Sequence, residues 1–149
     1  MTTLTNKDLL LRDLSARLPY DVEVKYDNSI CEVLAIDTYN EEVTIWKSSG
    51  NSPKVKLEKV KPFLFPLSSM TEEQFHELKE ITDFKYNRNN LELVEWTKTH
   101  KTIEFWLEEV PQYKVVEVFD WLNKNHFDYR GLIPMGLAID ATGLDIYRQ

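Results

Sequence analysis

The residues best suited to chemistry fall in one short run, His126, Asp128, Tyr129 and Arg130, closed by Gly131. An imidazole beside a carboxylate pairs a general base with the group that orients it. The same residues also serve to brace a helix end. His126 would sit in the last turn of its helix, where an imidazolium favours the carbonyl end of the dipole. Asp128 would cap the turn that follows, and Arg130 would pair with Asp128 or another nearby acid. No activated Ser or Thr nucleophile stands beside the run. The bracing role is therefore the expectation, with a binding surface second and an enzyme third.

A second cluster joins Trp46 and Lys47 to Tyr39, Lys54 and Lys56. Aromatic rings stack bases and lysines track phosphates in proteins that bind single strands. The expectation, however, is that Trp46 fills the meander core and the lysines protect a sheet edge. Metal chemistry has less support. The three histidines, His76, His100 and His126, lie far apart, and no His-x-x-x-His or Cys-x-x-Cys spacing occurs. The four glycines are isolated, so no phosphate-cradling loop is present in the sequence. Adjacent carboxylates such as Glu41/Glu42, Glu72/Glu73 and Glu108/Glu109 point in different directions on a helix or strand and read as solvated charge. No metal and no cofactor is expected.

Cysteine occurs once, at Cys31, inside an apolar run. A single cysteine makes no internal disulfide, which disfavours a secreted, stapled fold. Glu32 beside it has the wrong sign to favour a thiolate, so Cys31 reads as a small buried hydrophobe. The N-terminal residues show no basic stretch followed by an apolar one, and no run approaches the roughly 18 apolar residues of a membrane span. A cytoplasmic location is the expectation.

Formal net charge is −7 and unevenly spread. Residues 1–62 carry nine Lys/Arg against ten Asp/Glu, whereas residues 63–149 carry nine against fifteen. The acidic second half is a poor partner for phosphates, since non-specific nucleic-acid binding rests on cation–phosphate contacts. Glu104, Glu108, Glu109, Glu117 and Asp120 face one base, Lys114. Such an acidic face would suit the basic groove of a nucleic-acid enzyme, although charge runs are more often only solvated.

These residues need a scaffold, and the patterning predicts one α+β domain spanning residues 1–149. Its sub-lobes are 1–62, a helix plus β-meander, and 63–149, helices with an apolar tail. Thr5 caps a helix over 6–18, with Leu10, Leu11, Leu14 and Leu18 on one stripe, and Pro19 stops it. Period-two alternation then marks strands at Val22–Tyr26, 30–39, Val43–Trp46 and around Val55–Leu57. Four short strands joined by tight turns predict an antiparallel meander, curled into a small barrel that would remove its edges. Pro62 and Pro66 bracket an extended connector. Thr71-Glu72-Glu73-Gln74 is a capping box for a helix to about Phe84. Residues 91–108 fit a β-hairpin or a helix, and the hairpin is the expectation. A further helix runs from Pro111 to about Asn125, and the tail from Gly131 packs back as a helical turn and an extended segment.

Three segments also look alike to known chains. They are Ala16-Arg17-Leu18-Pro19-Tyr20, then Val60-Lys61-Pro62-Phe63-Leu64-Phe65-Pro66-Leu67-Ser68-Ser69-Met70-Thr71-Glu72-Glu73, and then Asp120 to Ile133, which contains Asn123-Lys124-Asn125-His126-Phe127-Asp128-Tyr129-Arg130. In this order they resemble a family of uncharacterised proteins of phages, prophages and mobile elements of gut bacteria. The family pattern continues with a charged pair before Gly-Leu-Ala, where this chain has Pro134-Met135 before Gly136-Leu137-Ala138. The resemblance implies a bacterial or phage-infected cytoplasm and carries no activity. Together with a well-made core and no evident chemistry, it leads to the expectation of a non-enzymatic accessory protein that binds another protein, with a contact around Tyr129–Leu137. A nucleic-acid module using the meander, and an enzyme using the His/Asp/Arg run, are the alternatives.

Overall fold

A computed structural model describes residues 5–82 and 112–147. The chain divides into two compact units: Met1–Leu64 together with Leu132–Gln149, and Phe65–Gly131.

In the first unit, α1 spans Asn6–Arg17 and opens with a full capping box. The Asp8 amide donates to the Thr5 hydroxyl at 3.1 Å, and the Thr5 amide donates to the Asp8 carboxylate at 3.2 Å. Pro19 lies in a 3-10 turn, Leu18–Tyr20, which ends the helix. The buried face of α1 is Leu10, Asp13, Leu14 and Arg17, the i, i+3, i+4, i+7 stripe of an amphipathic helix. Two of those four are ions. Arg17 Nε donates to Asp13 at 2.9 Å and Nη2 at 3.1 Å, a two-pronged pair with both side chains fully buried.

The strands are β1 (Glu23–Tyr26), β2 (Ser29–Asp37), β3 (Glu42–Trp46), β4 (Lys54–Lys56) and β5 (Val60–Pro66). β1 to β4 form the expected meander, in spatial order β4-β3-β2-β1, and β5 adds antiparallel to the far side of β1. The sheet is therefore larger than four strands, and it is open where a barrel was expected. A 3-10 turn, Leu57–Lys59, carries the chain from β4 to the opposite side of the sheet. β4 pairs with β3 and β5 with β1, so no bond joins them to close the ring. The β4 edge is only three residues long and carries two lysines, which protects it without closure. The Pro-bracketed connector predicted at 62–66 is part of strand β5.

The core of this unit takes Leu10 and Leu14 from α1, with Val22, Val24, Cys31, Val33, Val43, Ile45, Val55, Leu57, Val60 and Leu64. Each fully buried aliphatic chain contributes roughly 1.5–3 kcal/mol. The tail completes the unit. Leu132 and Ala138 enter the same cluster, and β7 (Ile139–Asp140) pairs parallel with Phe63 and Leu64 of β5. The tail contains turns where a helical turn was expected; Gly136, at φ 76°, makes the reversal that brings Leu137 back to the Leu132 carbonyl at 3.0 Å.

Tyr147 fastens the end of the tail. Its hydroxyl accepts from the Glu23 amide at 2.8 Å and donates to the Glu23 carbonyl at 3.2 Å. The β1–β5 ladder stops at Val24 opposite Pro62, which has no amide to give. A side-chain hydroxyl thus takes the place of the missing strand partner. Burial drives the phenol pKa far up, so the group stays protonated and keeps donating. Tyr147→Phe removes both bonds and is expected to cost about 1–3 kcal/mol of stability, read as a lowered urea midpoint. An unchanged midpoint would show that water serves Glu23 equally well.

The second unit contains α2 (Glu72–Thr82), α3 (Val115–Lys124) and β6 (Phe127–Asp128). The capping box predicted at Thr71 is present: the Thr71 amide donates to Gln74 at 2.8 Å and the Gln74 amide to the Thr71 hydroxyl at 3.2 Å. Leu67, Met70, Leu78, Val118, Trp121, Leu122, Phe127 and Tyr129 form its core. Trp121 stacks on Phe127 at 5.6 Å and donates its indole N–H to Glu77 at 3.0 Å, which ties α3 to α2. Phe65 and Pro66, the end of β5, pair parallel with Phe127 and Asp128. The hairpin predicted at 91–108, and the acids Glu104, Glu108 and Glu109, lie outside the described residues.

Candidate functional site

Side chains alternate along a strand, so a sheet with one face on the core presents the other. In the first unit α1 and the core occupy the inner face. The outer face takes Lys25 from β1, Ile30, Glu32 and Leu34 from β2, and Trp46 from β3. Pairing register makes them neighbours. Lys25 stands opposite Ile30, and Glu32 stands between Glu23 and Trp46. Ile30 and Leu34 lie two residues to either side of Glu32 and so flank Trp46 on the diagonal, within reach of an aromatic ring. Ile30 is 57% exposed, Leu34 45% and Trp46 45%. A register shift between Val33 and Ala35 marks a bulge in β2, where both Leu34 and Ala35 are exposed. Bulges re-aim side chains in this way.

The cluster read around Trp46 is partly dispersed. Lys47 follows Trp46 in sequence and alternates to the other face, where its ammonium lies 5.4 Å from the centre of the Tyr26 ring. Lys54 and Lys56 share the outer face, opposite Thr44 and Glu42, and Lys56 lies 3.7 Å from the Glu42 carboxylate. Tyr39 is exposed at the β2–β3 turn, where the Asp37 carboxylate accepts the amides of Tyr39 and Asn40, both at 3.0 Å. Lys61, directly opposite Lys25, belongs to the same face. Sequence reasoning missed this lysine pair, because only the β1–β5 register reveals it.

Glu32 also faces Asp21 and Glu23. Burial, then a hydrogen bond and the charge of Asp21, raise the Glu32 pKa. Burial, then the charges of Glu32 and Asp21, raise that of Glu23. A carboxyl whose folded pKa exceeds its unfolded one opposes folding at neutral pH, and the penalty fades as pH falls through the folded value. Glu32→Gln is thus expected to gain about 0.5 kcal/mol at pH 7, and the gain should shrink steadily towards pH 4. Urea titrations at several pH values would read it; a gain independent of pH would show that charge is not the cause.

His126, Asp128 and Tyr129 are buried and Arg130 half-buried, all within the second unit. His126 does not lie in the last turn of its helix. α3 ends at Lys124, and His126 stands beyond it at φ 60°, in the left-handed turn that follows many helices and that glycine usually fills. Its amide donates to the Asn123 carbonyl at 3.1 Å, and its carbonyl accepts the Phe65 amide at 2.8 Å. Asp128 is a strand residue of β6. The Tyr129 hydroxyl donates to the Asn123 side chain at 2.8 Å, while its ring meets Phe119 edge-on at 5.1 Å. Arg130 lies over the Tyr129 ring at 5.0 Å and donates to its hydroxyl at 3.3 Å. These bonds join a helix end to a strand, and their chemistry is that of a brace. Asn123, buried with them, was missed; its spacing six residues before Tyr129 carries no local signal.

Cys31 is buried, and burial pushes its thiol pKa up, away from a reactive thiolate. Among the described residues, no group of three His, Cys, Asp or Glu is placed to hold a metal ion, and no helix is long and apolar enough to cross a membrane. Compared with protein-family models, curated proteins and solved structures, the chain has no match.

Proposed function

We propose that this chain is a non-enzymatic accessory protein that acts by binding another protein, through the outer face of its antiparallel sheet. The exposed trio Ile30, Leu34 and Trp46 carries the reading. Three large apolar side chains brought together on one face by register mark an interaction site more often than chance exposure does. Tryptophan at the centre of such a patch is the residue type most enriched among binding hot spots. The resemblance to phage and mobile-element proteins supports an accessory role in a bacterial cytoplasm. The sheet is preferred to the tail because its face gathers three exposed apolar side chains, whereas Tyr129–Leu137 offers one large one, Met135.

The charges around the trio favour protein over nucleic acid. Lys25, Lys54, Lys56 and Lys61 are interleaved with Glu23, Glu32 and Glu42, and a phosphate backbone beside Trp46 would meet the Glu32 carboxylate. Photo-crosslinking tests the reading. A photoreactive residue at position 30 should give a discrete protein adduct in a lysate of the bacterium that carries the gene. The same residue at Ser15, exposed on α1, should not. Equal labelling from both positions, or from neither, would count against a site on this face.

A further inference from the structure

We infer that the occupant of this face is a protein segment that lays an apolar side chain against Ile30, Leu34 and Trp46 and sets carboxylates beside Lys25 and Lys61. The inference rests on the reading of the sheet face as a protein-binding surface and adds the chemistry of the partner. Lys25 and Lys61 stand directly opposite one another across β1 and β5, both exposed. Like charges at such a position destabilise a sheet. Among the described residues neither ammonium is paired with a carboxylate. The other outward lysines differ: Lys56 is paired with Glu42, and Lys54, on β4, stands opposite Thr44, on the other side of β3, β2 and β1 from Lys61. The lysine pair is therefore an open cationic spot on the β1–β5 side of the face, and Ile30, opposite Lys25, joins it to the apolar trio. In the next row Glu23 stands opposite Glu32, and Glu32 opposite Trp46, so carboxylates lie beside the indole and would repel an acidic group placed there. A segment with its acids on the Lys25–Lys61 side of an apolar anchor, and none beside the Glu23–Glu32 row, is the shape of charge that this face accepts.

The probe is a displayed library of random linear peptides, selected against the full chain. Selected peptides should share an apolar anchor with Asp or Glu on one side. Trp46→Ala should weaken them tenfold or more. Lys25→Gln with Lys61→Gln should do the same, and Lys25→Glu with Lys61→Glu should abolish binding. Lys59→Glu, exposed in the 3-10 turn before β5, should leave binding unchanged. Circular dichroism and a thermal melt for each variant separate lost binding from lost folding. Peptides that need Trp46 but tolerate both lysine pairs overturn the acidic partner while leaving the face as a protein site. Peptides indifferent to Trp46, or no selected peptides, overturn both. A single-stranded DNA oligonucleotide is the parallel arm: salt-sensitive binding that needs Trp46 and the lysines would assign the face to nucleic acid and end the inference.

Discussion

Arg17→Ala is expected to cost about 3–5 kcal/mol of folding stability, a large share of the roughly 5–15 kcal/mol that holds a domain of this size together. The guanidinium is fully buried and grips both oxygens of Asp13 one helical turn away. Truncation takes the guanidinium away from a carboxylate in the interior, and the loss of that pairing is the source of the cost. The pair itself is not strongly stabilising, because two ions must be stripped of water to form it. Asp13→Leu combined with Arg17→Met is therefore expected to lie within about 1–2 kcal/mol of the parent, on either side. Urea denaturation of the parent, both single variants and the double variant reads the outcome as a cycle. A small loss in Arg17→Ala would mean that water reaches the pair. A double variant as damaged as the singles would mean that the ions do a task beyond filling space.

Trp121→Ala should rank with it, at about 3–5 kcal/mol. This indole is buried, stacks on Phe127 at 5.6 Å and donates to Glu77 at 3.0 Å. Its removal opens a cavity between α3 and β6 and leaves the Glu77 bond unmade. Trp46→Ala, on the exposed face, is expected to stay within about 0.5 kcal/mol of the parent. The contrast between two tryptophans of one chain is the informative quantity. Comparable losses from both would show that Trp46 is a packing residue and would withdraw it from the proposed contact. Denaturant unfolding followed by circular dichroism suffices, because it does not depend on the fluorescence of the residue removed.

Local signals were legible in the sequence, and pairings were not. Thr5 and Thr71 announced their helices because a capping box is written within four residues. The β1–β4 meander followed from period-two alternation and tight turns. The open edge did not follow, since whether β5 meets β4 or β1 depends on a 3-10 turn at Leu57–Lys59 that composition does not specify. Asp13 and Arg17 would be taken for solvated charge, yet they occupy the buried stripe with Leu10 and Leu14. Their own spacing was the available clue, as opposite charges one turn apart sit on the apolar face. Trp46 was expected in the core, but its register opposite Glu32 puts it on the outer face, 45% exposed, while Lys47, next in sequence, turns to the other side. Lys25 and Lys61 lie far apart in the chain and meet only through register.

The return of the tail sets an order on biosynthesis. The unit that begins with α1 takes core residues from Leu132 and Ala138, and its β1 edge waits for the Tyr147 hydroxyl. A ribosome therefore delivers the final pieces of the first-begun unit after the whole of Phe65–Gly131 has emerged. Until then the nascent sheet holds an unsealed seam beside Glu23, which makes the span between the synthesis of Leu64 and that of Tyr147 the period in which a stalled or prematurely terminated chain is most open to aggregation.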